Sequence, residues 1–100
     1  MIAQDEIREV LRDIIDPEIG LNIVDLGLVY RAEQVADGIE VDLTMTTRAC
    51  PLGEMIMQEA RVVLAAHFPD VARVSINLVW EPPWTPEMMS VRGQEQLGLA

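Results

Sequence analysis

Ile39-Glu40-Val41-Asp42-Leu43-Thr44-Met45 alternates apolar and polar side chains and leads through Thr46-Thr47-Arg48-Ala49 into Cys50-Pro51. Beyond Pro51 the pattern turns helical, with Met55, Ile56, Met57, Ala60, Val63 and Leu64 before the Phe68-Pro69-Asp70 break. Alternation marks a half-buried strand and the longer apolar period a helix, so residues 39–46 read as a strand and 51–68 as a helix. Proline is favoured at the first helical position, which places Cys50 at the helix N-terminus. Unpaired N–H groups and the positive end of the helix dipole meet there. A thiol in that place can ionise easily and bind metal. A third strand follows at 72–80, with Val74, Ile76, Leu78 and Trp80 on one face and Arg73, Ser75 and Asn77 on the other. A helix between two strands makes a parallel crossover, and this fixes the sheet as mixed.

Working outward, residues 28–34 form another strand, and Asp37-Gly38 is a turn dipeptide that joins it to 39–46 as a hairpin. Residues 4–15 make a first helix, with Ile7, Val10, Leu11 and Ile14 on one face. Asp16-Pro17 ends it, because a residue before proline is pushed out of the helical region. Residues 16–27 then form an ordered loop, packed down through Ile19, Leu21, Ile23, Val24 and Leu26. Glu81-Pro82-Pro83-Trp84 is a rigid loop, and Thr85-Pro86 caps a last helix over 86–97. The fold class is α+β: a two-layer helix-strand-strand-helix-strand domain with a short C-terminal helix and a small mixed sheet. One domain spans residues 1–100.

Bulk composition excludes several functions. The formal charge is −10, and all seven basic residues are arginine. Such a chain is a poor match for nucleic-acid phosphates or an anionic membrane. A single cysteine excludes an internal disulfide and any multi-cysteine zinc site within one chain. Met1-Ile2-Ala3-Gln4-Asp5-Glu6 is not a signal peptide, and no run reaches ~20 apolar residues. The expected location is the cytoplasm.

Each candidate site residue has two readings. Cys50 is either a small apolar side chain packed at the corner or an exposed thiolate, with Thr46 and Thr47 as hydrogen-bond donors and Arg48 lowering its pKa if turned inward. The only histidine, His67, lies seventeen residues along the same helix. That is ~25 Å at a rise of about 1.5 Å per residue. It cannot serve Cys50 as a base within one chain, so no enzyme of the cysteine-hydrolase kind is expected. Asp16, Glu18 and Asp25 either cap turns or point inward as ligands or proton acceptors. Glu81, Pro82, Pro83 and Trp84 form either a lid that packs the two tryptophans and two methionines over the core edge, or a docking surface for partners or a wall of a site near Cys50. The central helix is apolar around more than one face, which points to a homo-oligomer.

Asp16-Pro17-Glu18-Ile19-Gly20, Asn22 to Tyr30, Thr44-Met45-Thr46-Thr47 with Cys50-Pro51, and Val79 to Trp84 with Met88-Met89-Ser90 together resemble one family. It is the SufT/PaaD-like iron–sulfur cluster assembly domain, related to the eukaryotic cytosolic iron–sulfur targeting proteins. The resemblance covers residues 5–99 and implies a fold similar to the NifU C-terminal domain. It implies an accessory or carrier role in assembling clusters and delivering them to client apoproteins. It places the reactive cysteine on Cys50, the family threonine on Thr46 or Thr47, and the acidic loop on Asp16, Glu18 and Asp25. Arg48-Ala49 stands where many members have Pro-Gly. The chain ends without the additional cysteines of PaaD-type proteins, which favours the shorter SufT-like type. A cluster takes four thiolates, so any metal on Cys50 would be transient and shared between the chains of a dimer or higher homo-oligomer, with no firmly bound cofactor. A metal-free adaptor docking clients through the Pro-Pro-Trp segment is the alternative.

Overall fold

The β3–β4 hairpin and the strand that joins it carry the architecture. The computed structural model describes residues 2–48 and 52–98. β1 (Ile15–Asp16) and β2 (Leu21–Asn22) form a small antiparallel pair of their own. β3 (Val29–Val35) and β4 (Gly38–Leu43) are antiparallel, and β5 (Arg73–Leu78) lies parallel to β4 at the other edge. The main sheet is therefore mixed, in the order β3-β4-β5. α1 (Gln4–Leu11) packs on β3, α2 (Gly53–His67) packs on β5, and the two helices touch each other. α3 (Val91–Gln96) ends the fold. No helix among the described residues is long and apolar enough to cross a membrane.

Alternation explains the two layers. Ile39, Val41 and Leu43 of β4 are buried beneath the helices, where they meet Ile7, Leu11, Ile56 and Leu64. Each such side chain contributes about 2 kcal/mol on burial. An isolated helix as short as α1 is marginal in water, so this packing is what holds it. The opposite sheet face is polar. Arg31 bonds Glu33, Glu40 and Asp42 at 2.7, 2.8 and 3.1 Å, and Arg73 reaches Asp37 at 2.8 Å. Neighbouring carboxylates hold both guanidiniums in the charged form.

The first and last helices differ from the sequence expectation, and so does the burial of the central one. The first helix stops at Leu11 rather than running to residue 15. Pro17 forces extended backbone upstream, and Ile15–Asp16 then finds ladder partners in Leu21–Asn22. The last helix is split in two: a 3₁₀ turn at Pro86–Met88, then α3 with Ser90 as its cap. The Ser90 hydroxyl accepts from the Gly93 N–H at 2.9 Å, whereas Thr85 makes no such capping bond. On α2, Ile56, Ala60 and Leu64 are buried, while the apolar Met55 and Val62 of the same helix are exposed in the single chain. Pro51 and Cys50, expected at the start of this helix, lie outside the described residues.

Gly38 also has a different role from the one expected. The two-residue hairpin loop is Ala36-Asp37, and Gly38 opens β4 opposite Arg73. A Cβ at Gly38 would stand 2.1 Å from the Arg73 carbonyl oxygen. The atom met is backbone, so it can yield only if the start of β5 moves with it. Gly38→Ala is therefore expected to cost about 1–3 kcal/mol in urea denaturation. An unchanged midpoint would show that β5 does not approach so closely.

Candidate functional site

The segment after β4 delivers Met45, Thr46, Thr47 and Arg48 to one rim of a cleft of about 220 Å³, and the segment after β5 delivers Trp80, Glu81, Pro83 and Trp84 to the other. Parallel pairing of β4 with β5 brings the two rims together, and the Val79 N–H extends it by donating to the Leu43 carbonyl at 2.8 Å. The Arg48 guanidinium carbon lies 4.6 Å from the centre of the Trp80 ring. Such a cation–π contact is worth about 0.5–1 kcal/mol at an exposed site. Cys50 lies outside the described residues, but it follows Arg48 by two positions in the chain.

The tryptophan loop is fixed from two sides. β3 carries an extra residue at Tyr30, where the register with β4 shifts. A bulge re-aims the side chain it carries. The Tyr30 hydroxyl donates to the Pro82 carbonyl at 2.7 Å and lies 3.3 Å from the Met88 sulfur. Burial raises the Tyr30 pKa against the opposing effect of the Thr44 hydroxyl. On the other side, the Trp84 indole N–H donates to the Leu26 carbonyl at 2.8 Å. The Glu81–Pro82 peptide bond in this loop is cis.

Asp25 is the buried centre of the acidic loop. Its Oδ1 accepts from the Ser90 hydroxyl at 2.8 Å and pairs with Arg12 Nη1 at 2.8 Å. Its Oδ2 accepts from the Asn22 amide at 2.7 Å, and its N–H donates to Asn22 Oδ1 at 2.8 Å. Burial pushes this carboxyl up, but hydrogen bonds from Asn22, Arg12 and Ser90 outweigh it and hold the pKa at about 2, below the usual 3.8. Ser90 also donates its backbone N–H to the Asp25 carbonyl at 2.9 Å. The loop is thereby tied to the cap of α3.

Of the acidic residues expected at the site, Asp25 meets the tryptophan loop through its neighbour Leu26. Asp16 is buried and accepts from the Glu18 N–H at 2.9 Å, a turn bond, while Glu18 itself is exposed. Thr46, Thr47, Glu81, Pro83 and Trp84 line the one cleft. Pro82 lines a neighbouring groove with Arg8, Tyr30 and Met88, and Glu81 borders both. His67 lies edge-on to Phe68 and lines a separate cavity with Asp37 and Asp70. Sequence reasoning missed the Arg48 contact of Trp80, Tyr30 as the anchor of the loop, and Arg12 and Ser90 as partners of Asp25. The double methionine before Ser90 and the tyrosine closing the Asn22 to Tyr30 block were visible, but their partners were not. Among the described residues, no group of three or more His, Cys, Asp or Glu side chains is placed to hold a metal ion.

The iron–sulfur cluster assembly protein family matches residues 4–76. The chain is 42% identical over 88 residues to the Fe-S protein maturation auxiliary factor SufT of Staphylococcus aureus, covering 87% of this chain and 99% of that one. It is 37% identical to the auxiliary factor YitW of Bacillus subtilis, covering 96% and 94%. A crystal structure of a DUF59 domain from Bacillus anthracis superposes with a TM-score of 0.90 at 35% identity, covering 97% of this chain and 92% of that one. With sequence, fold and the blocks around the cleft in agreement, the chain belongs to the iron–sulfur cluster assembly family.

Proposed function

We propose that this chain is an accessory carrier in iron–sulfur protein maturation, with the Cys50 thiolate as the cargo ligand and the cleft lined by the residues just upstream of it in the chain as the working surface. The observation that carries the reading is the convergence of Thr46, Thr47 and Arg48, just upstream of Cys50, with Trp80 and Trp84 around one cavity. Thr46 and Thr47 supply hydroxyls beside a bound sulfur, and Arg48 supplies positive charge that favours the thiolate. Asp16 and Asp25 hold the acidic loop in place, and Asp25 also fixes the segment behind Trp84. One thiolate per chain leaves a cluster under-ligated. The cargo is therefore held between two chains, or completed by another thiol, and released readily to assembly proteins and client apoproteins in the cytoplasm.

Anaerobic reconstitution with iron and sulfide tests this. Wild type is expected to give a brown chromophore, running with a dimer, that transfers to an apo-ferredoxin. Cys50→Ala should lose at least ten-fold in transfer rate. Equal transfer by the two proteins would remove Cys50 as the ligand.

The adaptor reading draws on a different observation, the anchoring of the 80–84 loop by Tyr30 and by the Leu26 carbonyl. A loop ordered in advance costs less entropy to dock. If Cys50→Ala still binds clients and neither protein takes up iron, the adaptor is the working form.

A further inference from the structure

Arg12, Arg31 and Arg73 are each paired with carboxylates, whereas Arg8 and Arg61 bond neutral oxygens of Val29 and Gln58. Arg48 is held by an aromatic face. Among the described residues no carboxylate lies within 4.0 Å of Arg48, which stands over the Trp80 ring instead. The charge is thus presented to the cleft in a chain whose net charge is −10. Glu81 stands on the ridge shared by this cleft and the neighbouring Tyr30–Pro82 groove, so an anionic residue borders the cavity on the rim opposite Arg48.

We propose that this cleft binds a small zwitterionic amino-acid thiol, of the size and charge of L-cysteine, with its carboxylate on Arg48 and its ammonium on Glu81. This rests on the carrier reading, for which it names the external thiol that completes the cargo's ligand shell. Three physical arguments favour this class. A guanidinium presents paired donors that match a carboxylate, and the Trp80 contact pre-orients them. A cavity of about 220 Å³ is below the usual range for drug-sized ligands and suits a molecule of amino-acid size. Glu81 opposes a simple inorganic anion, and it complements an ammonium group. With both charges satisfied, the ligand's side chain is left for the Thr46-Thr47 rim, next to which the chain continues to Cys50.

The chain has only two tryptophans, Trp80 and Trp84, and both line the cleft. Their emission reports its occupancy directly. In the metal-free, reduced full chain, L-cysteine is expected to give a saturable change in emission in the millimolar range. Cysteamine, which lacks the carboxylate, and N-acetylcysteine, which lacks the ammonium, should each bind at least five-fold more weakly. Arg48→Met should weaken L-cysteine at least ten-fold and leave cysteamine unchanged, while Arg48→Lys recovers part of the loss. Wild-type affinity in Arg48→Met, equal binding of cysteamine and L-cysteine, or no saturable change overturns the proposal. With iron and sulfide present, L-cysteine should stabilise the chromophore and L-serine should not; equal effects remove the thiol from the proposal. Cluster transfer assayed both with and without L-cysteine separates the two readings. Transfer dependent on Cys50 without cysteine binding sinks only this inference, and cysteine binding with no Cys50-dependent transfer in either condition sinks the carrier.

Discussion

Asp25→Asn is expected to lower the unfolding free energy at pH 7 by about 3 kcal/mol, the range for breaking one side of a buried ion pair. The carboxylate is 3% exposed, accepts from Asn22 and Ser90 and is ion-paired with Arg12. An amide of the same shape carries no charge, and its own N–H₂ would face a donor on either side. The Arg12 side chain keeps 31% of its surface in solvent, which limits the loss to the lower end of that range. Acid gives a second signature. The folded pKa of about 2 lies below the 3.8 of a free aspartate, so the stabilising effect is fully present above pH 3.8. It amounts to about 2 kcal/mol and is lost as the pH falls through the folded value. Urea midpoints of wild type and variant should therefore converge as the pH falls from 4 toward 2. A gap that stays constant over that interval would show that the carboxylate is not the source.

Gly27→Ala should be at least as damaging, for a backbone reason. Gly27 has φ +84, and a Cβ there would meet the Met88 carbonyl oxygen at 2.4 Å and its carbon at 2.8 Å. The left-handed conformation costs an alanine about 1–2 kcal/mol. Displacing packed backbone adds about 1–3 kcal/mol. Met88 cannot retreat alone, because Ser90 two residues on is bonded to Asp25. The disturbance therefore reaches Trp84 through Leu26, and tryptophan emission should shift to the red along with the lost stability. Gly20→Ala is the matched control: φ is +81 but nothing lies within 4 Å of the added methyl group. It should cost only the conformational part. Equal losses at the two glycines would mean that the contact with Met88 is not tight.

The alternation of Ile39 to Leu43 and the helix that follows it were legible, because each has a period long enough to count. They fixed the mixed sheet and the parallel crossover, and with them the α+β class. The Ile15–Asp16 and Leu21–Asn22 strands were not legible, since two residues have no period. Gly38 was misread as a turn glycine because the close approach of Arg73 comes from a segment 35 positions away. The site divides along the same line. Thr46, Thr47, Glu81 and Trp84 stood out as residues in dense local motifs. Trp80 read as one more apolar strand residue, since only the pairing of β4 with β5 sets it beside Arg48. The partners of Asp25 escaped notice for the same reason: Arg12 and Ser90 lie 13 and 65 positions away, and no spacing rule connects them.

β5 pairs with β4 alone and has no neighbour beyond it among the described strands. One rim of the cleft therefore hangs from a strand held on a single side, with exposed Leu78 near its end. Local opening of such an edge requires less free energy than unfolding the whole domain. Amide hydrogens of residues 73–79 should exchange with solvent faster than those of the buried β4 strand. The exchange rate of that segment is then a direct clock for how often Trp80 leaves Arg48, while the hydrophobic core stays intact.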